Sequence, residues 1–278
     1  IELLEAASRR RPGDGRRLAS RLEGLHNVHK NARGKLQGLA RLDLLARREA
    51  ADRELAAWID VDADRARRFG GLLAALDAYH AVLDSVHAAE TWLQRLLRDP
   101  AHLDLALTVH EAARERRKPD VERETPYMER NFDQTLASLG VRVRAVVPDV
   151  EQAILRELLR RGGRLPPATV PDVLRGLVGE AARQAADEAV DRWPSASALA
   201  SPTFCREAAC MTPEEQAALG DPVLDLVARL YPAWERQREA RRARRGRLDP
   251  LLASLLEARR GFLGEDFVPD ANGTQIGR

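Results

Sequence analysis

At 278 residues the chain is long enough for one large domain or two small ones with a full core. Charged residues make up 32% and aromatics 4%, so the core must be mostly Leu, Ala and Val, a mix that favours helix over strand. The net charge of +2 gives a weak global field that calls for no polyanionic partner, and no run of about eighteen apolar residues marks a membrane span.

The predicted elements are helices. Residues 1–11 form a short one, ended by the breaker Pro12-Gly-Asp-Gly15. A long helix follows over residues 16–58, with a kink expected near Gly34 or Gly38. Leu18, Leu22, Leu25, Val28, Leu36 and Leu39 give it an amphipathic stripe. Asn27 and Asn31 sit four apart on one face, with Lys30 and Gly34 beside them. Asn is a poor mid-helix residue because its amide competes for backbone groups. Two of them next to Gly34 and Gly38 suggest a face kept open for a ligand or another backbone; the plainer reading is that they face water.

Asp60 or Asp62 caps the next helix, which carries Phe69 to Leu96 on its apolar face and stops at Asp99-Pro100. Pro100 then opens a helix that ends near Arg117, before the Lys118-Pro-Asp120 break. Residues 122–139 are read as helical with Pro126 near the start, and Pro148 begins a helix closed by Gly162-Gly163. A linker at Leu165-Pro-Pro167 leads to a helix over residues 171–191, closed by Trp193-Pro194. Thr212-Pro-Glu-Glu has the pattern of a capping box. Asp221-Pro222 starts a helix to about Arg245, bent near Pro232, and residues 248–263 form the last one. From Phe267 the chain changes character and reads as a loop followed by the first residues of a strand. No fixed-period repeat occurs.

Chemical signatures are sparse. There is no Gly-x-Ser-x-Gly elbow and no phosphate-cradling glycine loop. Glu23, His26 and His29 have the spacing of a helical Glu-x-x-His metal motif, but no second copy completes a bundle site, so no metal and no other cofactor is expected. The basic run from Arg236 to Arg247 lacks interleaved aromatics and is read as a solvated helix face, not a nucleic-acid site. Cys205 and Cys210 are either free buried thiols or a disulfide formed in an oxidising compartment.

Three patches carry a resemblance. Asn27-Val-His-Lys-Asn31 followed by Gly34-Lys-Leu-Gln-Gly-Leu39 is similar to the Asn-x-x-Lys-Asn-x-x-Gly-x-Leu-x-Gly-Leu pattern of the bacterial serine dipeptidyl aminopeptidases, family forty-six of the serine peptidases. Glu122-Arg-Glu-Thr-Pro-Tyr-Met-Glu-Arg130 resembles that family's Arg-Glu-Pro-x-Tyr-x-x-Arg-Asp segment. Phe267-Val-Pro-Asp-Ala-Asn-Gly-Thr274 resembles its Pro-Asp-Ala-Asn-x-Thr-x-Arg segment, although Gln275-Ile-Gly-Arg278 departs from it.

The resemblance implies an all-α, irregular multi-helix bundle over residues 1–264. Residues 265–278 would be a loop and strand start belonging to a chymotrypsin-like barrel outside this chain. It implies a helical cap over the active-site cleft, without any member of the catalytic triad. By position in the motif, Asn27 would help hold the free α-amino group of a peptide substrate. Asn31 is the second choice, and Lys30 an orienting or structural contact. The resemblance further implies a periplasmic or secreted, homodimeric parent enzyme whose partners are peptides and the catalytic barrel, with no membrane or nucleic acid. The competing reading is an all-helical interaction or scaffold module without substrate, whose Arg-rich helix docks an acidic partner.

Overall fold

A computed structural model describes residues 1–10 and 12–267 of the chain. Its described residues form twelve α-helices joined by short 3₁₀ turns, and no strand occurs among them. The fold is all-α, as the Leu- and Ala-rich composition predicts. The anticipated strand start lies outside the described residues; Gly264–Asp266 forms a 3₁₀ turn just before it.

The helices fall into two compact units. One comprises residues 1–29 and 86–238, the other residues 30–85 and those from 239 onward. In the first unit, α1 (Glu2–Arg10) and the start of α2 (Pro12–Arg41) bury Leu4 and Leu18 against Val147 and Val150. The latter two belong to the start of α8 (Pro148–Gly162) and the residue before it. The expected breaker at Pro12 is the first turn of α2 instead, since proline's missing N–H and fixed φ suit that position.

The centre of this unit is α6 (Ala101–Glu115), buried nearly all round through Leu103, Leu105, Leu107, Val109 and Ala112. Around it pack α7 (Glu129–Ala145), α10 (Pro202–Cys210) and the first half of α12 (Pro222–Leu263). Two 3₁₀ turns, Asp120–Glu122 and Thr125–Tyr127, stand where the sequence suggested the start of α7. Pro119 and Pro126 lack the N–H donors that a continuous helix would need there. Likewise, 3₁₀ turns at Asp172–Leu174 and Glu180–Ala182 precede α9 (Arg183–Ala196), which runs through Pro194. A close backbone approach fixes this corner: a Cβ on Gly163 would lie 2.2 Å from Gly179 Cα, and one on Gly162 would lie 2.6 Å from the Trp92 ring.

The capping signals hold. Asp62 accepts from the N–H groups of Asp64 and Arg65 at 2.9 Å and starts α4 (Ala63–Phe69). Thr212 and Glu215 form a complete capping box on α11 (Pro213–Ala218). Asp221 accepts from Val223 N and Leu224 N and starts α12. That helix continues through Pro232 and Gly246 as one element of 42 residues, where two were expected.

The second unit has its own core. It buries Leu55 and Ile59 of α3 (Leu44–Asp60), Phe69, Leu72 and Leu76 of α4 and α5 (Leu72–Arg98), and Leu248, Leu255 and Ala258 of α12. The long helix expected over residues 16–58 is divided at Leu42 and Asp43, not at Gly34 or Gly38. Asp43 takes a left-handed conformation, φ 47°, which a short polar side chain tolerates better than most. The expected helix through Phe69 is divided at Gly70-Gly71.

Candidate functional site

Two groups of residues stand out, and they differ in character. The first is the polar face of α2. Asn27, Lys30 and Asn31 all lie on this helix and all three are exposed. Their side chains make no hydrogen bond or ion pair among the described residues. A Cβ placed on Gly34 or Gly38 would meet nothing within 4 Å, so no packing among the described residues demands glycine there. Every residue from Glu23 to Gln37 is exposed, including Val28 and Leu36 on the apolar stripe. His26 Nε2 lies 3.1 Å from Glu5 Oε1, so a carboxylate of α1 takes the ring. Among the described residues no group of three His, Cys, Asp or Glu side chains could hold a metal ion.

The second group is a buried ionic hub, which sequence reading missed. Glu111, only 3% exposed, accepts four hydrogen bonds. Trp234 Nε1 at 3.0 Å and Arg238 at 3.1 Å donate to Oε1; Tyr127 Oη at 2.8 Å and Arg98 at 3.1 Å donate to Oε2. Arg98 also donates to Asp104, which pairs with Arg142, while Arg238 also pairs with Glu124. The result is a chain of alternating charge, Arg142–Asp104–Arg98–Glu111–Arg238–Glu124. It borders a cavity of about 370 Å³ lined further by Thr108, Thr135 and Ser138.

The electrostatics follow from the burial. Desolvation works against the Arg98 charge, but Glu111 and Asp104 outweigh it and raise the guanidinium above its usual range. Burial, reinforced by Glu111, pushes the Tyr127 hydroxyl far up, so it stays a neutral donor. With each charge facing its opposite, the hub is a clamp. What it clamps is the Glu122–Arg130 motif. Glu124 N donates to Glu115 Oε2 at 2.8 Å, Glu129 N to Asp120 Oδ1 at 2.7 Å, and Thr135 Oγ1 to the Pro126 carbonyl at 2.6 Å.

The sequence held no clear signal for Glu111: with Asp104, Thr108 and Glu115 it follows the four- and three-residue spacing of a polar helix stripe, which reads as solvent-facing. Arg238 gave none, since it looks like every other arginine of its run. Its side chain is 21% exposed, while Arg241, Arg242 and Arg245 are exposed as expected.

The remaining candidates are structural. Ser197 Oγ donates to Asp221 at 2.9 Å, but that carboxylate is occupied by three backbone N–H groups and serves as a helix cap. Cys205 and Cys210 are free thiols. Cys205 is buried with its Sγ 3.3 Å from the Leu199 carbonyl, and burial pushes the thiol up to about 11. Cys210 is exposed.

The described residues thus define an all-helical domain with an open polar helix face and an internally neutralised clamp. A family model described as Peptidase S46 matches residues 1–275, nearly the whole chain, and the chain belongs to that peptidase family. This is the family that the three motif patches indicated.

Proposed function

We propose that the chain is the helical cap of a serine dipeptidyl aminopeptidase, covering the active-site cleft and gripping the free N-terminus of the peptide substrate. The triad and the barrel that carries it lie elsewhere in the enzyme, and residues 265–278 lead into that barrel; those from 268 fall outside the described residues. The observation that carries the reading is the face of α2. Within a chain of this family, Asn27, Lys30 and Asn31 stand at the motif positions, exposed and engaged with no other described side chain.

The chemistry is simple. Releasing dipeptides requires a ruler set from the α-ammonium. An Asn carboxamide oxygen accepts one ammonium hydrogen in a charge-assisted bond. Asn27 takes that role, Asn31 is the alternative acceptor, and Lys30 orients the face. An acidic group from the catalytic barrel completes the site, because one amide cannot satisfy an ammonium. The enzyme acts on peptides in the periplasm or outside the cell, as a homodimer. No helix among the described residues is long and apolar enough to cross a membrane.

Asn27→Ala in the intact enzyme tests this. A lost hydrogen bond to a charged group is worth about 1.5–3 kcal/mol, so KM for peptides with a free N-terminus rises about tenfold or more. Turnover of N-acetylated peptides stays where it was. Asn27 is exposed, so folding is preserved. An unchanged KM removes the assignment.

A further inference from the structure

The apolar stripe of α2 has an uncovered end. At its start, Leu18 and Leu22 pack against Leu4 and Val150, side chains of two other helices. The stripe then continues with the alternating four- and three-residue spacing of Leu18, Leu22, Leu25, His29, Ala32, Leu36 and Leu39, the seam of a helix that pairs with another helix. Leu36 and Leu39 are 67% and 50% exposed, and Leu42, Leu44 and Leu45 past the corner at Asp43 are also exposed, Leu45 to 73%. Exposed leucines in such density mark an interaction surface.

The rim of this patch is one-signed. Arg33 and Lys35 flank the seam and are exposed, as are Arg41 and Arg47 nearby, against Asp43 alone among the residues between them; Arg48 pairs with Asp52 at 3.3 Å. A second copy of the same face would set cations against cations. A lipid surface would suit the charge, but residues 25–48 hold no Trp, Tyr or Phe to anchor at a membrane interface. The seam spacing and the helices already seated at its start favour a helix.

We propose that residues 36–45 form a docking surface for an amphipathic helix with a leucine-rich seam and acidic flanks. At 100° per residue, Asn27 and Asn31 lie on roughly the opposite side of α2 from this seam, so the surface is distinct from the amino-group grip and does not rest on it.

The test titrates the 278-residue chain into a fluorescein-labelled heptad peptide with Leu at the seam and Glu at the flanks. Saturable binding is expected, weakened about tenfold or more by L36S/L39S and by high salt. The same peptide with Lys flanks should not bind. Because both leucines are exposed, the urea midpoint of L36S/L39S should match that of the parent. If it falls, R33E/K35E decides instead: it leaves the leucines in place and should transfer preference to the Lys-flanked peptide. No binding of the acidic peptide, equal binding of both peptides, retained preference in R33E/K35E, or cosedimentation with phosphatidylglycerol vesicles in place of peptide binding would each overturn the proposal.

Discussion

At the scale of single residues, Glu111 shows how much a buried charge depends on its surroundings. Its two oxygens take donors from α12, the end of α5 and the Thr125–Tyr127 turn, so one carboxylate of α6 ties four segments together. Removing one member of such a set leaves the others short of a counter-charge. Glu111→Gln keeps the shape and loses the charge, so Arg98 keeps only Asp104 and Arg238 only Glu124. It is expected to cost about 3–5 kcal/mol in urea unfolding, well above the roughly 1 kcal/mol of a typical substitution. Tyr127→Phe removes a single neutral donor and should cost less. If Glu111→Gln unfolds like the parent, the hub is not the clamp described here. In the sequence Glu111 lies with Asp104, Thr108 and Glu115 on what reads as a polar stripe, and the environment of Arg238 comes from residues more than a hundred positions away, so neither was legible locally.

Helices and their ends were read with mixed success, and the reasons are physical. Caps such as Asp62, Thr212 and Asp221 act on N–H groups two or three residues on, so they are visible locally. The corner at Asp43 and the continuity of α12 through Pro232 are not local. A mid-helix proline loses one hydrogen bond, and the packing of Tyr231 and Trp234 on either side holds the helix together across it. The last turn of α8 carries an acid response. Glu157 accepts from Arg160 and Arg161 at 2.7–2.8 Å, and the Arg160 bonds chiefly hold its carboxyl down at about 2, below the ordinary 4.5. Its folded pKa is depressed, so its contribution is full above 4.5 and is lost as pH falls toward 2. With the side chain 30% exposed, solvent screening limits this to under about 1 kcal/mol. Glu157→Gln should therefore lower stability slightly at neutral pH and flatten its fall in acid, read from urea midpoints across that range. Glu151 works in the opposite sense. Burial raises it despite Arg21 and the Ala101 N–H, so its part of the stability declines as pH rises through its folded value.

For the whole molecule, each unit has a leucine-rich core of its own, and membership of the Peptidase S46 family covers nearly the full length. If the chain is the cap proposed here, it should release no dipeptide by itself from a free-N-terminus peptide that the intact enzyme cleaves, measured by mass spectrometry of the products. Hydrolysis by the purified 278-residue chain would overturn the cap reading while leaving the family in place.

The sequence by itself determined the helical class, several of the helix starts and the family, because composition, capping residues and short motifs act over a few positions. Only the tertiary structure decided that the Glu122–Arg130 motif is strapped down by a buried carboxylate, and that the Asn27 helix stands exposed along most of its length. Burial is the sum of contacts from segments far apart in the chain. An amphipathic stripe states that a partner is wanted, and cannot state whether the same chain supplies it.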